Sequence, residues 1–139
     1  MIQVVMGKQG SGKTKRLIDM ANDALKTEHG VIVFLDDDKS YMYDLRHEIR
    51  FVDASEYARG EQRNADWFYG LVGGMISTNF DISTIYVDNF MKLIRAENER
   101  LDLLFQQLDA LSEAHKISFV LSVSGDPEAM PEFITRRAV

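Results

Sequence analysis

The sequence predicts an α/β domain, a three-layer sandwich around a mostly parallel sheet of about five strands. Three observations predict it. Short apolar, β-branched runs alternate with helix-periodic segments along the whole chain. The strand runs are nearly continuous in apolar residues, which suits strands covered on both faces. The length, 139 residues, is that of one domain, able to bury roughly 70% of its unfolded surface without staples. Residues 1–139 are therefore read as one unit.

The first run, Ile2 to Met6, stops at Gly7 and reads as a strand. From Lys13, the spacing of Leu17, Ile18, Ala21, Ala24 and Leu25 predicts a helix that His29-Gly30 closes. Val31 to Leu35 is five apolar residues in a row and predicts a buried strand, ended by Asp36-Asp37-Asp38. Tyr41, Leu45 and Ile49 suggest a short helix, and Arg50 to Asp53 a brief strand. Residues 54 to 63 are polar and read as a loop. Ala65, Phe68, Val72, Met75 and Ile76 mark a helix, although Gly70, Gly73 and Gly74 each weaken it by up to ~1 kcal/mol. Ile82 to Val87 is a second strong strand, ending at Asp88. Leu101, Leu104, Phe105, Leu108 and Leu111 recur at helical steps with charges between them. Ile117 to Val123 is a further strand, and Phe133 to Thr135 a last short one.

Composition prunes the function classes. The formal net charge is −6 and the pI about 5.0, so no basic field is present for non-specific nucleic-acid binding. Zero cysteines exclude a disulfide scaffold, thiolate metal sites and thiol catalysis. Apolar runs of about five residues fall far short of a membrane span. The chain reads as cytoplasmic, with no membrane partner. No repeat or low-complexity tract appears.

One stretch carries chemistry. Gly7-Lys8-Gln9-Gly10-Ser11-Gly12-Lys13-Thr14 matches G-x-x-x-x-G-K-[ST] at every fixed position. The glycines let several backbone N–H groups converge on one point, and the following helix aims its positive end there. Lys13 is a mobile cation with reach to β- and γ-phosphate oxygens. Thr14 offers a hydroxyl to Mg²⁺, a hard cation that prefers oxygen ligands. Chance brings the four fixed positions together in roughly one chain in two hundred of this length. Here the loop also follows a strand and opens a helix, so the sequence predicts a nucleoside triphosphate site.

The strand Ile82 to Val87 delivers Asp88 to its carboxyl end, a position from which a carboxylate holds Mg²⁺ through its waters. The next residue is Asn89, whose neutral amide orients a water but cannot take its proton. Asp36, Asp37 and Asp38 are the candidate substitutes, because ligands sit at the carboxyl ends of strands in such sheets; one of them, with Asp36 put first, is read as the base and the other two as helix caps. The candidate catalytic residues are thus Lys13, Asp36 and Asn89. Ser122 and Ser124 are read either as sensors of the γ-phosphate or as turn formers with Gly125-Asp126-Pro127. Arg95, Arg136 and Arg137 are read chiefly as surface charges.

With these two motifs, the chain resembles a minimal P-loop NTPase core, with a Walker A loop GKQGSGKT and a Walker B-like strand STIYVDN. It is most similar to small bacterial ATP-binding proteins, some labelled twitching-motility ATPases, and shares features with the thymidine-kinase core. The resemblance implies that the Ile117 strand separates the Asp88 strand from the first strand. Many ATPases of the superfamily carry Glu where this chain has Asn89, and recombinase-type relatives place a catalytic acid after the second strand. No D-x-x-G or N/T-K-x-D occurs, so ATP is expected rather than GTP. The zinc-binding cysteines and the Asp-Glu of a thymidine kinase are missing, and the His-box region of a motility motor is missing too. The expectation is a slow ATPase or nucleotide-dependent switch binding ATP and Mg²⁺. A small-molecule kinase and a non-catalytic ATP-binding module are the alternatives, and a homo-oligomer or a protein partner is left open.

Overall fold

The computed structural model describes residues 1–139. Five strands, β1 (Ile2–Gly7), β2 (Val31–Asp36), β3 (Arg50–Asp53), β4 (Ile82–Val87) and β5 (Ser118–Ser124), form one sheet in the order β1-β5-β4-β2-β3. Every neighbouring pair is parallel. All five carboxyl ends therefore lie along one rim, and β5 stands between β1 and β4 as expected.

Five helices cover the two faces: α1 (Lys13–Ala24), α2 (Ala65–Thr78), α3 (Phe90–Leu93), α4 (Asn98–His115) and α5 (Glu132–Thr135). Side chains alternate across a strand, so each strand feeds both layers. Val33, Leu35, Ile85, Val87, Phe119 and Leu121 join a core of 24 buried residues with α2 to α5. Ile32, Phe34, Tyr86 and Val120 join a smaller core of 10 with Leu17, Ile18 and Ala21 of α1. The larger core contains a chain of edge-to-face rings, Phe68–Phe90–Phe105–Phe133, with centroids 5.6, 5.6 and 5.4 Å apart.

The glycine-rich segment does form α2. Asn64 caps it by accepting the Trp67 N–H, and Phe68, Val72 and Ile76 bury its inner stripe. α1 is shorter than expected and stops at Ala24, not at His29-Gly30. The N–H groups of Lys26 and Thr27 turn back to the carbonyls of Asp23 and Ala24, and Glu28 is drawn to the Thr84 hydroxyl at 2.6 Å.

The Tyr41–Ile49 region is a 3-10 helix (Lys39–Asp44) rather than an α-helix; Asp38 caps it, and Leu45 and Ile49 tuck into the smaller core beyond it. Residues 54 to 63 contain two short 3-10 turns, Ala54–Glu56 and Gly60–Gln62.

Phe133 to Thr135 is helical, not a strand. Pro131 enters with its φ preset, and its carbonyl accepts from Ile134 and Thr135. The strand-like contact comes a few residues later. Ala138 bridges to Val4, with Val4 N–H donating to Arg137 O and Val139 N–H to Val4 O, so the tail straps the β1 edge. No helix is long and apolar enough to cross a membrane.

Candidate functional site

The site follows from sheet register. Val87 pairs with Leu35 and with Leu121, while Asp36 pairs with Asp53 and Ser122 with Val5. One step beyond Val87, Asp88 therefore falls in a row with Asp36 and Ser122 at the rim. All three follow by two residues a side chain of the smaller core (Phe34, Tyr86, Val120), so alternation points them toward the α1 side. The loop from Gly7 to Thr14 rises from β1 into α1 on that side.

Within the loop, Lys8 O accepts the Ser11 N–H. Gly10 and Gly12 sit at φ +79° and +88°, and Gly12 is the left-handed N-cap of α1. Side chains rarely adopt that region, which is why this turn requires glycine. At Gly7 a Cβ would closely meet only the Ser11 Oγ at 2.5 Å, which a turn of that hydroxyl relieves. The N–H groups of Gly12, Lys13, Thr14 and Lys15 have no partner in the chain and open at the positive end of α1. Four unpartnered donors at one helix start form a ready seat for an anion.

Lys13 is nearly buried, and its ammonium donates to Lys8 O at 2.8 Å. Thr14 Oγ1 donates to Asp88 Oδ2 at 2.8 Å, joining the loop to the β4 carboxylate. Asp88 is buried, and its second oxygen accepts from Ser122 Oγ at 2.6 Å. Ser122 in turn accepts the Asn89 N–H at 2.8 Å. Asn89 adopts a left-handed backbone, φ 53°, and its amide donates to Asp88 Oδ2 at 3.3 Å. Hydroxyl and carboxylate oxygens without nitrogen or sulfur are the donors a hard divalent cation takes. No three His, Cys, Asp or Glu side chains converge as a metal-binding group.

The three aspartates after β2 separate. Asp36 is 1% exposed, and its carboxyl is pushed up to about 8, first by burial and then by the Asp88 charge. Asp37 forms a largely enclosed ion pair with Arg63 at 3.3 Å. Asp38 accepts from the N–H and hydroxyl of Ser40, which hold its carboxyl below the usual range.

Gln9, Gly10, Gly12, Lys13, Thr14 and Asn89 line one open cleft of about 480 Å³, together with Lys15, Asp38, Tyr41 and Ser124. Of the arginines, Arg137 pairs with Asp109 and covers the Phe105 ring, far from this role. Arg95 lies against Gly60.

The sequence reading left Ser122 undecided and placed Tyr41 only on a helix face. Ser122 is the link between Asp88 and Asn89, and Tyr41 is a wall of the cleft. The first depends on strand pairing, which no local pattern encodes. The second had one signal, an aromatic residue three places after Asp38. No protein-family model matches the chain, and no curated protein matches its sequence.

Proposed function

We propose that this chain is a P-loop protein that binds ATP with Mg²⁺ and turns it over slowly, as a nucleotide-dependent switch. The observation that carries the reading is the loop itself: four unpartnered N–H groups, the Lys13 ammonium and the Thr14–Asp88 pair meet at one rim. The N–H groups would bind phosphate oxygens, and Lys13 would leave Lys8 O to reach the terminal ones. Thr14 and Asp88 are the residues that would hold Mg²⁺, which when bound neutralises charge on the phosphates. Ser122 and Asn89 fix the Asp88 carboxylate in place.

Slowness rests on two features. Asn89 stands where a water-activating acid is expected and has no basic group. Asp36, the substitute, is held protonated near neutral pH in the cation-free protein, first by burial and then by the Asp88 charge. A base already protonated is idle until that proton leaves. ATP is favoured over GTP because the chain lacks guanine-reading motifs, and the lack of cysteine fits a cytoplasmic setting.

The test is calorimetric titration of ATP and GTP with Mg²⁺ on the wild type and on Lys13→Ala, followed by single-turnover phosphate release. Micromolar ATP binding, weakened at least about thirtyfold in the variant, is expected, with turnover well below about 1 per second. Binding indifferent to Lys13 would sink the site, and rapid multiple turnover would sink the switch.

A further inference from the structure

The cleft over the loop does not end at Tyr41. On the far side of that ring and of Lys15 lies a second lobe of about 380 Å³, lined by Lys15, Ile18, Asp19, Tyr41 and Asp44. It shares Lys15 and Tyr41 with the loop cleft, so the two adjoin across those side chains. Two further cavities lie away from the loop. One lies at Arg95 and Arg100, the other at Met42 and Tyr57.

The second lobe is built rather than incidental. Its outer wall is the 3-10 helix, whose end is riveted to α1 by one side chain. Asn22 Nδ2 donates to Asp44 O at 3.0 Å, and Asn22 Oδ1 accepts the Arg46 N–H at 2.9 Å. Leu45 and Ile49 anchor the same segment in the smaller core, and Asp38 caps its start. Tyr41 and Asp44 are thereby held opposite Ile18 and Asp19, with no rearrangement needed to form the walls.

The lining has the chemistry of a flat, amphipathic ring. Tyr41, 45% exposed, presents an aromatic face, and Ile18 an aliphatic floor. Asp19 and Asp44 offer acceptors only. Lys15 is tied to Asp19 at 3.0 Å in an open ion pair, which yields readily to a ligand. Two carboxylates against one lysine make this lobe a poor seat for phosphate itself. A base carrying an exocyclic amino group offers these carboxylates two N–H donors, whereas uracil offers a single ring N–H flanked by two carbonyls that they repel.

Building on the nucleotide reading above, we propose that this lobe seats the nucleoside of the bound nucleotide. The base lies against Tyr41 and Ile18, with its amino group toward Asp19 and Asp44. Tyr41 and the two aspartates are then the specificity residues of the site, and adenine is preferred to uracil.

The experiment is calorimetric titration of tripolyphosphate, ATP and UTP, each with Mg²⁺, on the full chain. Tyr41→Ala should weaken ATP about tenfold, the loss of one aromatic stack, and leave tripolyphosphate within about twofold of the wild type. Tyr41→Phe should restore ATP. Asp19→Ala combined with Asp44→Ala should narrow the preference for ATP over UTP. The proposal is overturned if Tyr41→Ala leaves ATP unchanged, or if ATP and tripolyphosphate fall together. Tripolyphosphate that does not bind, or binds Lys13→Ala equally well, brings down the nucleotide reading itself. Tripolyphosphate that needs Lys13, beside ATP indifferent to Tyr41, brings down the lobe alone.

Discussion

On one face of the sheet, α2 to α5 seal 24 buried residues around a chain of four edge-to-face phenyl rings. On the other, α1 and a 3-10 helix cover 10. The same strands serve both, so the difference is not one of strand quality. On the thick face nearly every inward position is Val, Leu, Ile or Phe. The thin face also takes Thr84, Ser122, Asp36 and Asp88. Hydrophobic burial scales with area, and the thick face supplies most of it. That surplus allows the thin face to carry buried polar groups that stabilise nothing by themselves. Stability and chemistry are divided between the two sides of one sheet.

The largest test of this division is Phe105→Ala. The ring sits between Phe90 and Phe133 under Arg137, and its removal should cost ~3–5 kcal/mol. Urea unfolding would read this as a lower midpoint at unchanged slope. Leu45→Ala, at the margin of the thin core, is the control and should cost about 2 kcal/mol. Equal losses from the two variants would remove the basis for the comparison.

Asp36→Asn tests the thin side from the other direction and should stabilise the nucleotide-free protein. Its carboxyl titrates near 8 when folded against 3.8 for the ordinary group. Between those values the folded state holds a proton that the unfolded state has released. Native stability therefore falls as pH rises from about 4 to about 8. The amide variant keeps the acceptor for the Asp37 N–H and lacks the slope. At pH 8 it should be the more stable by up to ~5 kcal/mol, and at pH 4 the gap should nearly close. A gap that widens on acidification would reverse the sign of the argument.

The smallest effect belongs to the thick side. Gly74 is exposed on α2, and a Cβ there meets nothing within 4 Å. Gly74→Ala should raise stability by ~0.5–1 kcal/mol and leave nucleotide affinity untouched. A loss of stability would mean that α2 needs the glycine for something its own packing does not reveal.

Much of this was legible before folding. Val31 to Leu35 declared a strand buried on both sides because five consecutive apolar side chains need cover on both. The loop declared itself because glycines, a lysine and a threonine at fixed spacing act through local geometry. What was not legible depends on partners distant in sequence. Glu28 leaves the α1 pattern for Thr84, and Phe133 to Thr135 coils because the β1 edge is met by Ala138 instead. The Asp36–Asp88–Ser122 row exists only once the strand order and register are set. Asn89 shows a left-handed backbone because its N–H is held by Ser122, thirty-odd residues away.

The position of β1 sets an order of events in folding. Its only full neighbour is β5, with Ile2 opposite Phe119, whereas β2, β3 and β4 pair among themselves. As the chain leaves the ribosome, β2, β3 and β4 meet one another before β5 is made, and the first strand meets no partner until then. Closing so long a loop is slow. The glycine loop, although made first, is the last part of the rim to be held in place, and a half-made chain lacks the row of Asp36, Asp88 and Ser122 beside it.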